Sequence, residues 1–323
     1  MFSISRRASS PVVRSIAVVL ALGSVALVAT GCGTPFKTQE QLTLTAPASA
    51  EKLIVENNIG DVTIRADAQA KEVSAVITKI GRGATLKEAE KALAELEVTL
   101  AMDDTGALRA TVDHPRATSF RQHEVVWAIT TPPTTEVRVT TDIGDATVNG
   151  IHKDVAIKTD IGDARVSCDP AASSAVTIST GVGDVHVSDA RGLTAKTDVG
   201  DIHASAGGPI QLDSDVGDVV LHLKPATSER VRIESDVGDV CLYLDPGQQG
   251  KLTATTDVGS VRVALDGVTM REFRHRDHFA VAQLGESATP SIDIFTDVGD
   301  VTIKSQPADT PATKPATALS AVR

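Results

Sequence analysis

From residue 141 to residue 305, apolar and polar side chains alternate in short runs, interrupted again and again by the same corner. Val231-Arg232-Ile233-Glu234 leads into one such corner, and Val240-Cys241-Leu242-Tyr243-Leu244 leaves it. Alternation with a period of two marks a strand with one buried face. The corner reads Asn58-Ile59-Gly60-Asp61, Asp142-Ile143-Gly144-Asp145, Asp160-Ile161-Gly162-Asp163 and Gly181-Val182-Gly183-Asp184. It returns as Asp198-Val199-Gly200-Asp201, Asp215-Val216-Gly217-Asp218, Asp236-Val237-Gly238-Asp239, Asp257-Val258-Gly259-Ser260 and Asp297-Val298-Gly299-Asp300. From Gly144 to Gly259 the glycines are 18, 21, 17, 17, 21 and 21 residues apart, and the last step, to Gly299, is 40, close to two coils with an insertion. A repeat of this period is the signature of a stacked architecture. Strand, glycine corner, strand and second turn fill one coil, and coils stacked in parallel hide each other's edges around one continuous core.

The expected fold is therefore all-β: a parallel β-solenoid, or β-helix, of 17–21-residue coils over residues 141–305. The positions just before each glycine, and two and four after it, are almost always Val, Ile, Leu or Ala and are expected to point inward. The position three after it varies (Thr147, Arg165, His186, His203, Val220, Cys241, Arg262) and is expected to point outward. Val-Gly suits the centre of a type II turn, where the second residue takes positive φ. The aspartates beside it are expected to cap nearby backbone N–H groups as Asx-turns. One glycine motif per coil, rather than three, disfavours a left-handed hexapeptide solenoid.

Residues 41–140 are less regular. Strands are expected at 42–44, 52–56, 62–65, 73–78, 98–101, 108–112 and 125–130. Thr85-Leu86-Lys87-Glu88 is a capping box that opens a helix over 85–97, with Leu86, Ala89, Leu93 and Leu96 on one face. This region reads as a β-rich cap on the solenoid's open end. Residues 270–286 read as an excursion from one coil. The stretch 306–323, rich in Pro, Ala and Thr, reads as a disordered tail.

Residues 1–31 read as an export leader. Arg6, Arg7 and Arg14 precede an uncharged apolar run at 16–29, shorter than the roughly 20 residues of a membrane span. The run ends in Val28-Ala29-Thr30-Gly31-Cys32, which resembles the lipobox of bacterial lipoproteins, although Ala29 stands where that family most often has leucine. The resemblance implies lipidation at Cys32, with 32–40 as the linker behind the anchor. The alternative is an ordinary secretory signal cut near Gly31. Several acyl chains anchor stably where one is marginal. Gly33 replaces the aspartate associated with inner-membrane retention, which favours an outer membrane.

Removing the leader takes away three arginines and no acid, leaving 28 basic and 42 acidic residues and a charge of −14. That balance argues against nucleic acid and against anionic lipid as partners. Eight aromatic residues in 323 are few for a conventional core, and the abundant Val, Ile, Thr and Ala suit a narrow β core. Cys168 and Cys241 lie four repeats apart, about 19 Å at 4.8 Å per coil. A bridge tolerates about 7 Å, so both are expected to be free thiols.

The serial Gly-Asp-Val-x-Val unit resembles the bacterial putative-adhesin family of β-strand-repeat domains. So does the earlier strand, helix, strand order ending in Trp127-Ala128-Ile129-Thr130-Thr131-Pro132. The resemblance covers about residues 40–305. It implies a β-solenoid, export and an adhesin-like role, and it brings no catalytic residues.

Three clusters carry candidate chemistry. Asp145, Asp163, Asp184, Asp201, Asp218 and Asp239 should stack on consecutive coils, with Asp142, Asp160, Asp198, Asp215 and Asp236 as a second column. Calcium bound along this ladder is one way to relieve its repulsion; turn hydrogen bonds are the favoured one, so no cofactor is expected. His275, Asp277 and His278 form a compact group with metal-like chemistry on the excursion and are expected to be solvated. His186 and His203 share an outward column and are expected to face water. The acids are the repeat itself rather than a local departure from it, as a carbohydrate-active β-helix would need. No Gly-x-Ser-x-Gly, His-Glu-x-x-His or phosphate loop occurs. The expected protein is a lipid-anchored, non-catalytic envelope scaffold or adhesin that binds another envelope component or an external surface. A calcium-stabilised spacer is the alternative.

Overall fold

The computed structural model describes residues 20–22, 36–113, 123–170, 172, 174–224 and 229–306. Cys32 and the tail beyond Gln306 lie outside the described residues, as does the leader apart from a short strand, Leu20–Leu22. Two 13-stranded sheets face each other. At each glycine corner one strand of the first sheet passes into one strand of the second, as Val155–Ile161 passes through Gly162-Asp163 into Ala164–Ser167. The parallel β-solenoid read from the repeat is thus the observed fold.

Successive coils stack in parallel and in register. Ile157 lies beside Ile178, Ile178 beside Ala195, Ala195 beside Leu212, and Leu212 beside Ile233. On the other sheet the positions two and four after glycine point inward as expected: Ala164, Val166, Val185, Val187, Val219, Leu221, Val240 and Leu242 are all buried. Both sheets turn these aliphatic rows on one another, so the core is a narrow seam running the length of the stack.

The coils do not stack in sequence order. The Gly299 coil (Ser291–Val298 and Val301–Ser305) lies between the Gly238 coil and the Gly259 coil, paired in parallel with both. The 40-residue step is therefore not two coils followed by more of the same stack. The chain builds the outer coil first and then threads its last coil inside. The other end mirrors this. The Gly60 coil (Lys52–Ile59 and Val62–Ala66) lies between the Gly144 coil and an outer layer, Leu108–Asp113 and His123–Thr131.

Antiparallel strands close both sheets at the first end and one sheet at the other, where the second sheet ends on the short parallel strand Val261–Ala264; covered edges of this kind are poor templates for another chain. At the first end Glu72–Gly83 pairs with His123–Thr131, Phe36–Pro47 pairs with Glu72–Gly83, and Glu97–Met102 covers Leu108–Asp113. At the other, the expected excursion is a hairpin, Met270–Arg276 and Phe279–Leu284, laid on Gly250–Val258.

The helix is Leu86–Ala94, shorter than the expected 85–97, because Glu97-Val98-Thr99 already belongs to a strand. Thr85 caps it, its side chain accepting the Glu88 N–H at 3.2 Å. Ala89 and Ala92 form its buried face. Its backbone approaches the strand beneath so closely that a Cβ at Gly81 would sit 2.3 Å from the Ala89 carbonyl oxygen. Among the described residues no helix is long and apolar enough to cross a membrane.

Candidate functional site

The repeated corner is the feature on which any function must be built, and each of its residues has a physical task. The Thr or Ser three before glycine is buried, and from Thr159 onward its hydroxyl donates to the glycine carbonyl of the preceding coil. Thr180 reaches Gly162 O at 3.1 Å, Thr197 reaches Gly183 O at 3.2 Å, and Thr256 reaches Gly299 O at 2.9 Å. A buried hydroxyl without such a partner would be costly. The glycines are not in type II turns: from Gly144 onward their φ lies between +142° and +155°, well away from the +80° such a turn requires. A Cβ at these positions would stand 2.0–2.4 Å from the carbonyl oxygen of the glycine on the coil before. Coil stacking, more than turn shape, demands glycine.

The aspartates after glycine form a continuous ladder. The Asp163 N–H donates to Asp145 Oδ1 at 2.9 Å, that of Asp184 to Asp163 Oδ1 at 2.9 Å, and that of Asp201 to Asp184 Oδ1 at 2.9 Å. The series continues through Asp218, Asp239 and Asp300 to the Ser260 N–H on Asp300 Oδ1. The carboxylates thus cap the next coil rather than their own turn, which corrects the Asx-turn expectation. The Ser260 N–H and hydroxyl hold the Asp300 carboxyl below the ordinary carboxylate range. Among the described residues no group of three or more His, Cys, Asp or Glu side chains is arranged to hold a metal ion.

This geometry separates acceptor from charge. Asp218→Asn keeps an acceptor for the Asp239 N–H and is expected to leave the urea midpoint nearly unchanged. Asp218→Ala leaves that N–H without its partner and is expected to cost about 1 kcal/mol. Equal melts for the two variants would show that the ladder's bonds do not stabilise the stack.

The residue just before glycine does not point inward, contrary to the alternating pattern. Ile143, Ile161, Val182, Val199, Val216, Val237, Val258 and Val298 are 44–62% exposed. The alternation breaks one residue earlier, where the chain bends toward the corner: Thr159 pairs with Thr180 and Ile161 with Val182, but Asp160 has no ladder partner. Asp160 and Ile161 are both exposed as a result. The sequence carries a signal for this row, since it is apolar in all nine copies, but uniformity alone does not distinguish a core row from a surface one.

The other singled-out side chains settle into structural places. His186 and His203 do face outward, their rings stacked at 5.2 Å, and His222 stacks on Tyr243 at 4.4 Å. Burial, then the nearby Arg165 and His203, holds His186 below the ordinary imidazole range. His275, Asp277 and His278 are exposed, as expected, but they lie on the hairpin that covers the Gly259 coil rather than on a free loop. His275 Nε2 lies 2.6 Å from Val261 O, His278 Nδ1 lies 2.7 Å from Gly259 O, and the Val261 N–H donates to Asp277 O at 2.8 Å. Elsewhere that last bond goes to the corner aspartate of the next coil, as from Ala146 N to Asp163 O; the hairpin tip imitates a further coil. Cys168 and Cys241 are free, and burial pushes the Cys168 thiol up to about 11.

A two-sheet parallel solenoid with stacked Gly-Asp corners and antiparallel end caps is the class this chain defines. The chain belongs to the Toastrack DUF4097 family, whose profile matches residues 34–304. That places the adhesin-like resemblance of residues 40–305 within a domain family of unknown function. Among solved structures, the chain is similar to a putative cell adhesion protein from Clostridium sporogenes, with 14% identity, 84% of this chain and 100% of that chain covered, and a TM-score of 0.23. It is also similar to a putative adhesin from Bacteroides fragilis, with 13% identity, coverage of 82% and 97%, and a TM-score of 0.35. A putative adhesin from Parabacteroides merdae shares 10% identity, with coverage of 86% and 98% and a TM-score of 0.28. No curated protein matches the chain.

Proposed function

We propose that this protein is an exported, lipid-anchored component of the bacterial cell envelope that works without catalysis. Its solenoid presents a binding or scaffolding surface to another envelope component or to an external surface. The observation that carries this reading is the corner itself. Its hydroxyls, carboxylates and glycines are spent on joining one coil to the next, while the same apolar side chain is exposed at eight of the nine corners along one edge. A repeated, rigid edge suits recognition of an extended partner. The adhesin-like family supports the reading, and the apolar leader ending at Cys32 supplies its anchor, with Gly33 favouring the outer membrane.

Replacing Cys32 with alanine is expected to move the protein from the membrane to the soluble fraction. Cross-linking from the exposed edge in intact cells is expected to capture an envelope partner for the wild-type chain and to lose it for the unanchored variant. Membrane retention of Cys32→Ala would remove lipidation at this residue from the proposal.

A further inference from the structure

The solenoid's outward rows differ in character. The row three after glycine carries Thr147, Arg165, His186, His203, Val220 and Cys241, so an outward strand position here does not require an apolar side chain. The row just before glycine is nevertheless Val or Ile at all nine corners. Among the described residues, eight of its members supply most of the exposed large hydrophobic side chains. At about 4.8 Å per coil, the eight exposed rungs make a ridge about 34 Å long. Each rung is β-branched, with χ1 already restricted, so covering it costs little rotamer freedom. A continuous apolar strip rimmed by polar groups is the signature of an interaction surface.

Charge selects the partner. Exposed Asp142, Asp160, Asp198, Asp236, Asp257 and Asp297 border the ridge on one side, and the corner ladder borders it on the other. Lys196 pairs with Asp198 and Asp215, Arg165 with Asp145 and Asp163, and Arg262 with Asp300. Among the described residues no lysine or arginine pairs with Asp201, Asp218, Asp236 or Asp239, so the middle of the edge keeps its negative charge. An anionic membrane, a nucleic acid or the same edge of a second copy would set like charges together. The complement is an apolar stripe flanked on both sides by lysine or arginine.

We propose that this ridge docks a basic amphipathic helix of a partner protein, lying along the solenoid axis. A helix advances 5.4 Å per turn against about 4.8 Å per coil, so its apolar stripe meets the rungs nearly turn by turn over three or four turns. The lysine and arginine stems flank the valines while their heads reach the two aspartate columns. The inference goes beyond the envelope reading and does not depend on the anchor.

The test titrates the full chain carrying Cys32→Ala with three synthetic 18-residue peptides. One is an amphipathic leucine/lysine helix, one has the same leucine spacing with glutamate for lysine, and one is a lysine/serine peptide without an apolar stripe. The leucine/lysine peptide is expected to bind best, with an affinity that falls as salt rises. The isosteric triple variant Val199→Thr/Val216→Thr/Val237→Thr is expected to keep its melt and lose about tenfold or more in affinity. Asp201→Asn/Asp218→Asn/Asp239→Asn, which keeps the ladder's acceptors, is expected to weaken binding and flatten its salt dependence. The inference is overturned if the leucine/lysine peptide does not bind, or binds the valine variant as tightly as the parent. Equal binding of the lysine/serine or the leucine/glutamate peptide would overturn it too.

Discussion

Gly217→Ala is expected to destabilise the protein by roughly 3–6 kcal/mol, from a φ open to glycine and a steric conflict that add. The φ at Gly217 is +145°, and the new Cβ would lie 2.0 Å from the Gly200 carbonyl oxygen, which is backbone and cannot swing away. Relief requires the coils to part, and parting them stretches the Asp218-to-Asp201 bond and opens the valine and leucine rows on either side. Gly106→Ala is the control. Its φ is +82° with no atom within 4 Å of the added carbon, so only the backbone term of about 1–2 kcal/mol applies. Urea unfolding of both variants tests the comparison. If Gly217→Ala costs no more than Gly106→Ala, the corners are not packed against one another as described.

Removing the last coil is expected to cost more still. A chain ending at Glu286 loses Ile292, Ile294, Val301 and Ile303, all buried, at roughly 2 kcal/mol each, or about 8 kcal/mol in total. That rivals the whole stability of an ordinary domain. The loss falls inside the stack, because the missing coil separates the Gly238 and Gly259 coils. Limited proteolysis should therefore cut within 250–284, which trimming a true terminal coil would not provoke. Engineered cysteine pairs check the order directly. Arg232 and Asp293 are ladder neighbours, and so are Asp293 and Thr253. A cysteine pair at 232 and 293 is expected to bridge, whereas one at 232 and 253 spans two coil spacings, about 9.6 Å, beyond disulfide reach. Bridging at 232 and 253 instead would establish sequential stacking.

The repeat announced the solenoid because glycine spacing and period-two alternation are local, and each copy restates them. The inward rows at Ala164 and Val166, or Val219 and Leu221, follow from that alternation directly. Ile161 and its equivalents were misplaced because a bend at Asp160 shifts the phase by one residue, and no residue type marks a phase shift. The aspartate ladder was visible as a column, but the partner of each carboxylate is the backbone of another coil, 17–21 residues away along most of the stack. The exchanged order of the last two coils did leave one trace. Ser260 marks the single corner without aspartate after its glycine, and it sits at the physical end of the stack rather than at the end of the sequence, where no further N–H awaits a carboxylate.

That ladder runs one way only. Every rung lends an oxygen forward and takes one from behind, so the stack has a sense of direction that its parallel strands alone would not enforce at the corners. Ser260 breaks the relay, and the hairpin tip at Asp277 and His278 fills the place where another rung would dock. The length of the rod is thus written at its tip as a stop mark. Coils duplicated ahead of that mark would lengthen the ruled edge rung by rung, while the mark itself closes the rod to a second molecule adding end to end.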